Sequence, residues 1–147
     1  PIALARVLAC EAGVADEQVL VASILHDTLE DTRTTFDELR ERFGLPTAET
    51  VREVTDDKML HKNVRKTRQI EHAPHLSGNA KLVKLADKIC NLRDLRGSPP
   101  KHWSEERRRK YRQWAGVVVA ALPIGRHRLR RVAAREFVDI QPAEAKS

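Results

Sequence analysis

The stretch Val19–Thr32, VLVASILHDTLEDT, decides how the rest of the chain is read. Val19, Leu20, Val21, Ala22, Ile24, Leu25 and Leu29 cover almost every face of a helix, a pattern that predicts burial on all sides. Yet the same segment ends in His26, Asp27, Glu30 and Asp31. The C-terminal end of a helix carries partial negative charge, so carboxylates are unfavourable there. Carboxylates beside a core need a positive partner, and a divalent metal would serve. His26 and Glu30 are four apart, as are Asp27 and Asp31, so each pair is expected on one side of the helix. His26 and Asp27 can both lean toward a metal, with Glu30 and Asp31 one turn further on to handle a water. A His-Asp pair alone is common, and acidic residues at a helix end are ordinarily just solvated. The apolar lead-in and the two following carboxylates set this pair apart.

A second segment, NAKLVKLADKICNLRDL (79–95), strengthens the reading. Leu82, Leu85, Ile89 and Leu92 form a core stripe, with Asp87 and Asn91 roughly opposite it. Val83 and Cys90 flank Asp87 and suggest partial burial. Taken by itself this is an ordinary polar face with Lys84 and Lys88. Beside the upstream His-Asp pair, Asp87 reads as a third ligand from another helix.

Working outward, the remaining chain reads as helices. Pro1–Ala12 is expected to be the first, and Asp16–Asp31 one continuous second helix. Thr35 and Glu38 form a capping-box pattern opening a short helix that ends near Gly44. Pro46 opens another that runs through TAETVREVTDD, and KNVRKTRQIEHA follows and stops at Pro74. The 79–95 helix ends before Gly97; Ser104 caps SEERRRKYRQWAGVVVAAL; a last helix spans roughly Gly125–Val138. Residues 141–147 are expected to be a loose tail after a domain spanning 1–140. No alternating strand pattern occurs, so the expected fold is all-α, a compact helical bundle.

The 147 residues suit one domain, and 41% hydrophobic with 33% charged content suits a globular chain rather than a disordered one. The net charge of +6 is concentrated in ERRRKYR and GRHRLRR and points to an anionic partner. No nucleic-acid-binding motif accompanies it, so a nucleic-acid partner ranks last. AGVVVAALPIG is too short to span a bilayer, so no membrane partner is expected. Cys10 and Cys90 form no disulfide or zinc pattern, which suits a reducing, cytoplasmic location. Oligomeric state is not legible.

His-Asp on one helix and a distant Asp on another resemble the metal signature of HD-domain phosphohydrolases. HDTLEDT, VTDDK, APHLSGNAKLVKLADKICNLRDL and WSEERRRKYRQWA together resemble the hydrolase domain of RelA/SpoT-type proteins, and above all the stand-alone small alarmone hydrolases of the metazoan SpoT-homologue group. The resemblance runs from Pro1 to beyond Ala115. It implies an HD-domain helical fold that binds one Mn²⁺ and removes the 3′-pyrophosphate of ppGpp or pppGpp. Some members also remove the 2′-phosphate of NADPH. It implies His26, Asp27 and Asp87 as metal ligands and Glu30 and Asp31 as the pair that orients and deprotonates water. Asn91 would contact the nucleotide's sugar region; Lys62, Arg107 and Tyr111 would hold phosphates or the nucleoside. Lys62, Arg65 and Arg107 would offset the ligand's charge as a basic rim. Cys90 stands where relatives often carry tyrosine and reads as a packed thiol. The family's fourth ligand, a histidine in a His-Pro pair, would be the residue immediately before Pro1. Since Pro1 is no translation start, that histidine is expected upstream, together with a helix and a base-contacting basic loop. Two other readings keep the same pocket: NADPH or another nucleotide as substrate, and a nucleotide-binding module without turnover. Retention of both Glu30 and Asp31 argues against the latter.

Overall fold

A computed structural model describes residues 1–137; the expected tail at 141–147 and the expected helix end at Val138 lie outside the described residues. Among the described residues every regular element is helical. In chain order these are α1 (Ile2–Arg6), α2 (Glu17–Leu25), α3 (Thr28–Asp31), α4 (Phe36–Phe43) and α5 (Leu45–Val54). Then follow α6 (Lys62–His72), α7 (Gly78–Gly97), α8 (Glu105–Ala120) and α9 (Arg128–Glu136). α1 runs on into a π-helical turn, Val7–Glu11, closed by the Ala12 amide donating to the Val7 carbonyl at 3.0 Å. The chain then reverses at Gly13, whose φ of 69° suits a residue without a side chain.

α7 is the axis of the bundle. It packs against α1 and its π turn, α2, α5, α8 and α9. Val83, Leu85 and Ile89 of α7 join Leu8, Val19, Leu39, Val51, Val118 and Leu129 in the dry core. Each such side chain stabilises the fold by roughly 1.5–3 kcal/mol through burial. Local signals start the surrounding helices where the sequence places them. Thr35 and Glu38 make the reciprocal capping box of α4. Ser104 accepts from the Arg107 amide at the start of α8. Ser77 caps α7 while its own amide and hydroxyl donate to Glu53, tying α7 to α5.

The structure departs from the sequence reading in several places: α7 runs through Gly97 instead of ending before it, and α9 starts at Arg128 rather than near Gly125. α2 stops at Leu25 instead of running to Asp31, because side chains take the carbonyls the helix needs. His26 Nδ1 donates to the Ser23 carbonyl at 2.9 Å and Thr28 Oγ1 to that of Leu25 at 2.7 Å. Asp27 therefore stands at the N-terminal end of α3, with Glu30 and Asp31 in its first turn. The acidic residues open a helical turn rather than ending a long helix. α2 is also covered on one side only: Val19 and Ala22 are buried, while Ile24 is 45% exposed. α5 ends at Val54 instead of running through Asp57, and Thr55 leaves it in extended conformation at ψ 128°.

Charged side chains fasten the two ends of the chain to α7. Arg93 grips Glu11 through both guanidinium nitrogens, at 2.7 and 2.8 Å, and donates to Glu136 of α9 at 2.9 Å. The Arg93 hydrogen bonds hold the Glu11 carboxyl below its ordinary range. Replacing Arg93 with Leu leaves Glu136, whose side chain is 7% exposed, with one of its two cations, Arg96, whose Nη2 lies 2.9 Å from Oε2. The variant should be less stable by about 2 kcal/mol in urea unfolding at pH 7, whereas Glu11→Gln, removing an exposed partner, should cost under about 1 kcal/mol. Because the folded-state value of Glu11 is depressed, its contribution is present at neutral pH. It should fade as pH falls below the ordinary glutamate value and through the folded-state one, a loss absent from Glu11→Gln.

Candidate metal and nucleotide site

The break after α2 places His26 where α2 and α7 meet. Its Nε2 lies 2.9 Å from Asp27 Oδ1 and 3.5 Å from Asp87 Oδ1. The His26 Nδ1–H bond to the Ser23 carbonyl fixes the ring's orientation. In the neutral ring it also leaves the Nε2 lone pair directed at the two carboxylates, the tautomer a metal-binding histidine needs. One imidazole nitrogen flanked by carboxylate oxygens from two elements fits a divalent cation. Among the described residues no three His, Cys, Asp or Glu side chains already surround one common point. His26 instead draws the carboxylates together by donating to them, and a cation in the proton's place would satisfy the same three groups.

The electrostatics follow from burial. Burial pushes the Asp87 carboxyl up. The His26 hydrogen bond and the charges of Lys88 and Lys84 outweigh it and hold Asp87 well below the usual carboxylate range. Burial lowers His26, but Asp87 and Asp27 raise it more. Lys88 is 3% exposed; its Nζ sits 3.4 Å from Asp87 Oδ2 and 4.4 Å from the centre of the Trp114 ring. Burial pulls its ammonium below the ordinary lysine value.

Glu30 and Asp31 separate. Glu30 is half-buried and accepts from the Asp56 amide through Oε1 at 2.6 Å. Burial raises its carboxyl above the ordinary value despite that bond. Asp31 is exposed and pairs with Lys58. The VTDDK segment thus meets both carboxylates.

Polar contacts lead from Asp87 to a cavity. Asn91 Nδ2 donates to Asp87 Oδ2 at 3.3 Å, and Asn91 lines a pocket of about 260 Å³ with Trp103 and Tyr111. Trp103 and Tyr111 also line a neighbouring cavity of about 550 Å³ with Lys62, Lys66, Arg107 and Lys110. Lys62 and Arg107 therefore line one cavity, Asn91 lines the other, and Tyr111 borders both. Arg65 lines a separate pocket behind α6 with Asp56, Gln69 and Lys84. On α6, Lys62 and Lys66 stack one turn apart on one face, and Arg65 and Gln69 on another.

Several residues went unseen in the sequence reading. Lys84 and Lys88 look like a solvated face, yet both are buried. Their signal was there: two lysines one turn apart, each followed in sequence by a residue the helix buries. Trp103 packs under the Arg107 guanidinium at 4.2 Å and against Tyr111 at 5.8 Å, and Trp114 lies 5.5 Å beyond Tyr111. This wall is legible only once α8 is folded against the 98–104 loop. Burial lifts the Tyr111 phenol to about 12, so it stays neutral and can donate. Burial lifts Cys90 to about 11, in keeping with a packed, unreactive thiol.

Comparison with known proteins defines the class. A family model described as an HD domain matches residues 1–122. The Xenopus tropicalis protein named guanosine-3′,5′-bis(diphosphate) 3′-pyrophosphohydrolase MESH1 is 55% identical over 122 residues, covering 83% of this chain and 68% of that one. The human protein of the same name matches at the same identity and coverage. The solved structure of a metazoan ortholog of SpoT that hydrolyzes ppGpp and plays a role in starvation responses superposes with a TM-score of 0.89. It is 44% identical, over 95% of this chain and 78% of that one. A Listeria monocytogenes structure, lmo0812, matches at 28% identity and a TM-score of 0.76, over 95% and 92%. The chain belongs to the HD-domain family and, within it, to the group of metazoan SpoT-like proteins. Among the described residues no helix is long and apolar enough to cross a membrane.

The geometry carries a direct test by NMR titration of metal-free protein. His26 should titrate above the ordinary histidine value of 6.5. Asp87→Asn should bring it to or below that value, since burial then dominates. Unchanged titration in Asp87→Asn would mean the two side chains are not in contact.

Proposed function

We propose that the chain is a metal-dependent (p)ppGpp 3′-pyrophosphohydrolase, with His26, Asp27 and Asp87 holding Mn²⁺. One observation carries this reading: the tautomer-fixed His26 contacts two carboxylates, Asn91 joins Asp87 to a pocket walled by Trp103 and Tyr111, and the same two rings also wall a cavity rimmed by Lys62, Lys66, Arg107 and Lys110. A centre of this sign needs an anionic ligand to justify its basic rim. A guanosine tetraphosphate offers both phosphates and a base that stacks on a flat wall. The names of the similar proteins point the same way. A divalent metal there supplies Lewis-acid activation of water and charge stabilisation at phosphorus.

The chain's own residues do the rest. Glu30 Oε1 is engaged by the Asp56 amide, so Oε2 is left to orient a water and accept its proton. Burial raises the Glu30 carboxyl, and a raised carboxyl is a better base than an ordinary one. Asp31, held by Lys58, stands beside it. The water oxygen bonds to the phosphorus on the ribose 3′-oxygen as that P–O bond breaks; the 3′-oxygen takes a proton, leaving GDP or GTP and pyrophosphate. Lys62 and Arg107 hold phosphate oxygens, while Tyr111 and Trp103 bound the nucleoside. Displacement at phosphorus depends chiefly on such positioning and charge stabilisation. Two unpaired thiols, Cys10 and Cys90, suit a cytoplasmic setting.

Pyrophosphate release from ppGpp, followed with Mn²⁺ present and then chelated, tests this. Release should require Mn²⁺, and Asp27→Ala and Glu30→Gln should each lower kcat by about 100-fold or more. Lys62→Ala and Arg107→Ala should act mainly on KM, by about tenfold each. Phosphate release from NADPH without release from ppGpp would move the assignment to the 2′-phosphatase; neither, with Mn²⁺ bound, would leave a binding module.

A further inference from the structure

The group that orients water is only as well placed as the backbone that holds it. Glu30 sits on α3, a four-residue helix, and its hydrogen bond comes from the Asp56 amide. That amide lies after the end of α5, where no helix holds it in place. Two side chains reach this stretch. Lys84 of α7 points its Nζ at the Val54 carbonyl, 3.4 Å away, and at Asp56 Oδ1, 4.0 Å away. Gln69 of α6 donates from Nε2 to the other Asp56 oxygen, Oδ2.

Lys84 is 8% exposed, on a helix that also buries Val83, Leu85 and Ala86. Burying an ammonium is expensive, and an apolar side chain of that length would fill the same space without the desolvation cost. The position therefore demands an explanation other than packing. Its place on α7 supplies one. Lys84 lies three residues before Asp87, so one rigid helix presents the metal-side carboxylate and the cation that grips the 54–56 backbone. The spacing between the metal centre and the Glu30 carboxylate is then set by α7 rather than by the short α3.

We propose that Lys84 and Gln69 are positioning residues for the hydrolytic reaction: they clamp the 54–56 backbone so that the Asp56 amide holds Glu30 toward the reacting water. Neither residue touches the substrate, since both line the pocket behind α6, away from the cavity of Lys62 and Arg107. The inference rests on Glu30 acting on water as described above.

Lys84→Met and Gln69→Leu, made singly and each combined with Glu30→Gln, test it. Each single variant should lower kcat, Lys84→Met by about 30-fold and Gln69→Leu by about fivefold, with KM for ppGpp within about twofold. Mn²⁺ affinity should match the parent in Gln69→Leu, which leaves the charges around Asp87 in place. Combined with Glu30→Gln, neither should lower the rate further, because a clamp that acts through Glu30 has nothing left to hold. Amide hydrogen exchange gives a readout independent of turnover: protection of the Asp56 amide should fall about tenfold in each single variant, with α7 amides unchanged. Losses that multiply with Glu30→Gln, an unchanged kcat, or a fully protected Asp56 amide would overturn the proposal. If Lys84→Met does not fold, Gln69→Leu decides by the same measurements. If the parent releases no pyrophosphate, the functional reading falls, while the exchange data still decide whether the clamp exists.

Discussion

The centre of this protein depends on charge balance inside α7. That helix carries Lys84, Asp87 and Lys88 into the interior, where an unpaired charge would be intolerable. Asp87 stays ionised because His26, Lys88 and Lys84 surround it. Lys88 is accommodated by Asp87 and by the face of Trp114. Remove any member and the others are left short of a partner. The same constraint brings α2, α5 and α8 to α7: His26 comes from the end of α2, the Val54 carbonyl at the end of α5 meets Lys84, and Trp114 closes over Lys88 from α8.

From that balance a division of labour follows. The acidic residues cluster at the α2–α3 break and on α7, at the floor. The cations that face solvent, Lys62, Lys66, Arg107 and Lys110, stand on α6 and α8 around the mouth. Burial and the nearby charges of Lys62 and Arg107 pull the Lys66 ammonium down, which shows how closely the rim is packed with positive charge. An anion entering there relieves repulsion among the lysines and arginines while its reactive end approaches the acidic floor. Trp103 and Tyr111 belong to both pockets of the mouth, so the flat wall is continuous from Asn91 outward.

The residue identities at the centre and most helix boundaries were legible in the sequence, because they rest on local rules. The Thr35–Glu38 box, the Ser104 cap and the Pro74 stop each involve atoms within one turn, and all stand where expected. The break inside HDTLEDT was not legible. It arises from side chains taking main-chain carbonyls, and helical spacing alone does not reveal that competition. Nor did sequence distinguish the solvated Lys62 from the buried Lys84 and Lys88, or send Arg65 to a different pocket from Lys62. Periodicity gives the face a residue occupies, not what covers that face. The sequence by itself thus determined an all-α chain with a His-Asp pair and a distant Asp suited to a metal. Only the tertiary structure decided which charges are desolvated, and with them the strength and direction of every contact at the site, because burial depends on neighbours far away along the chain.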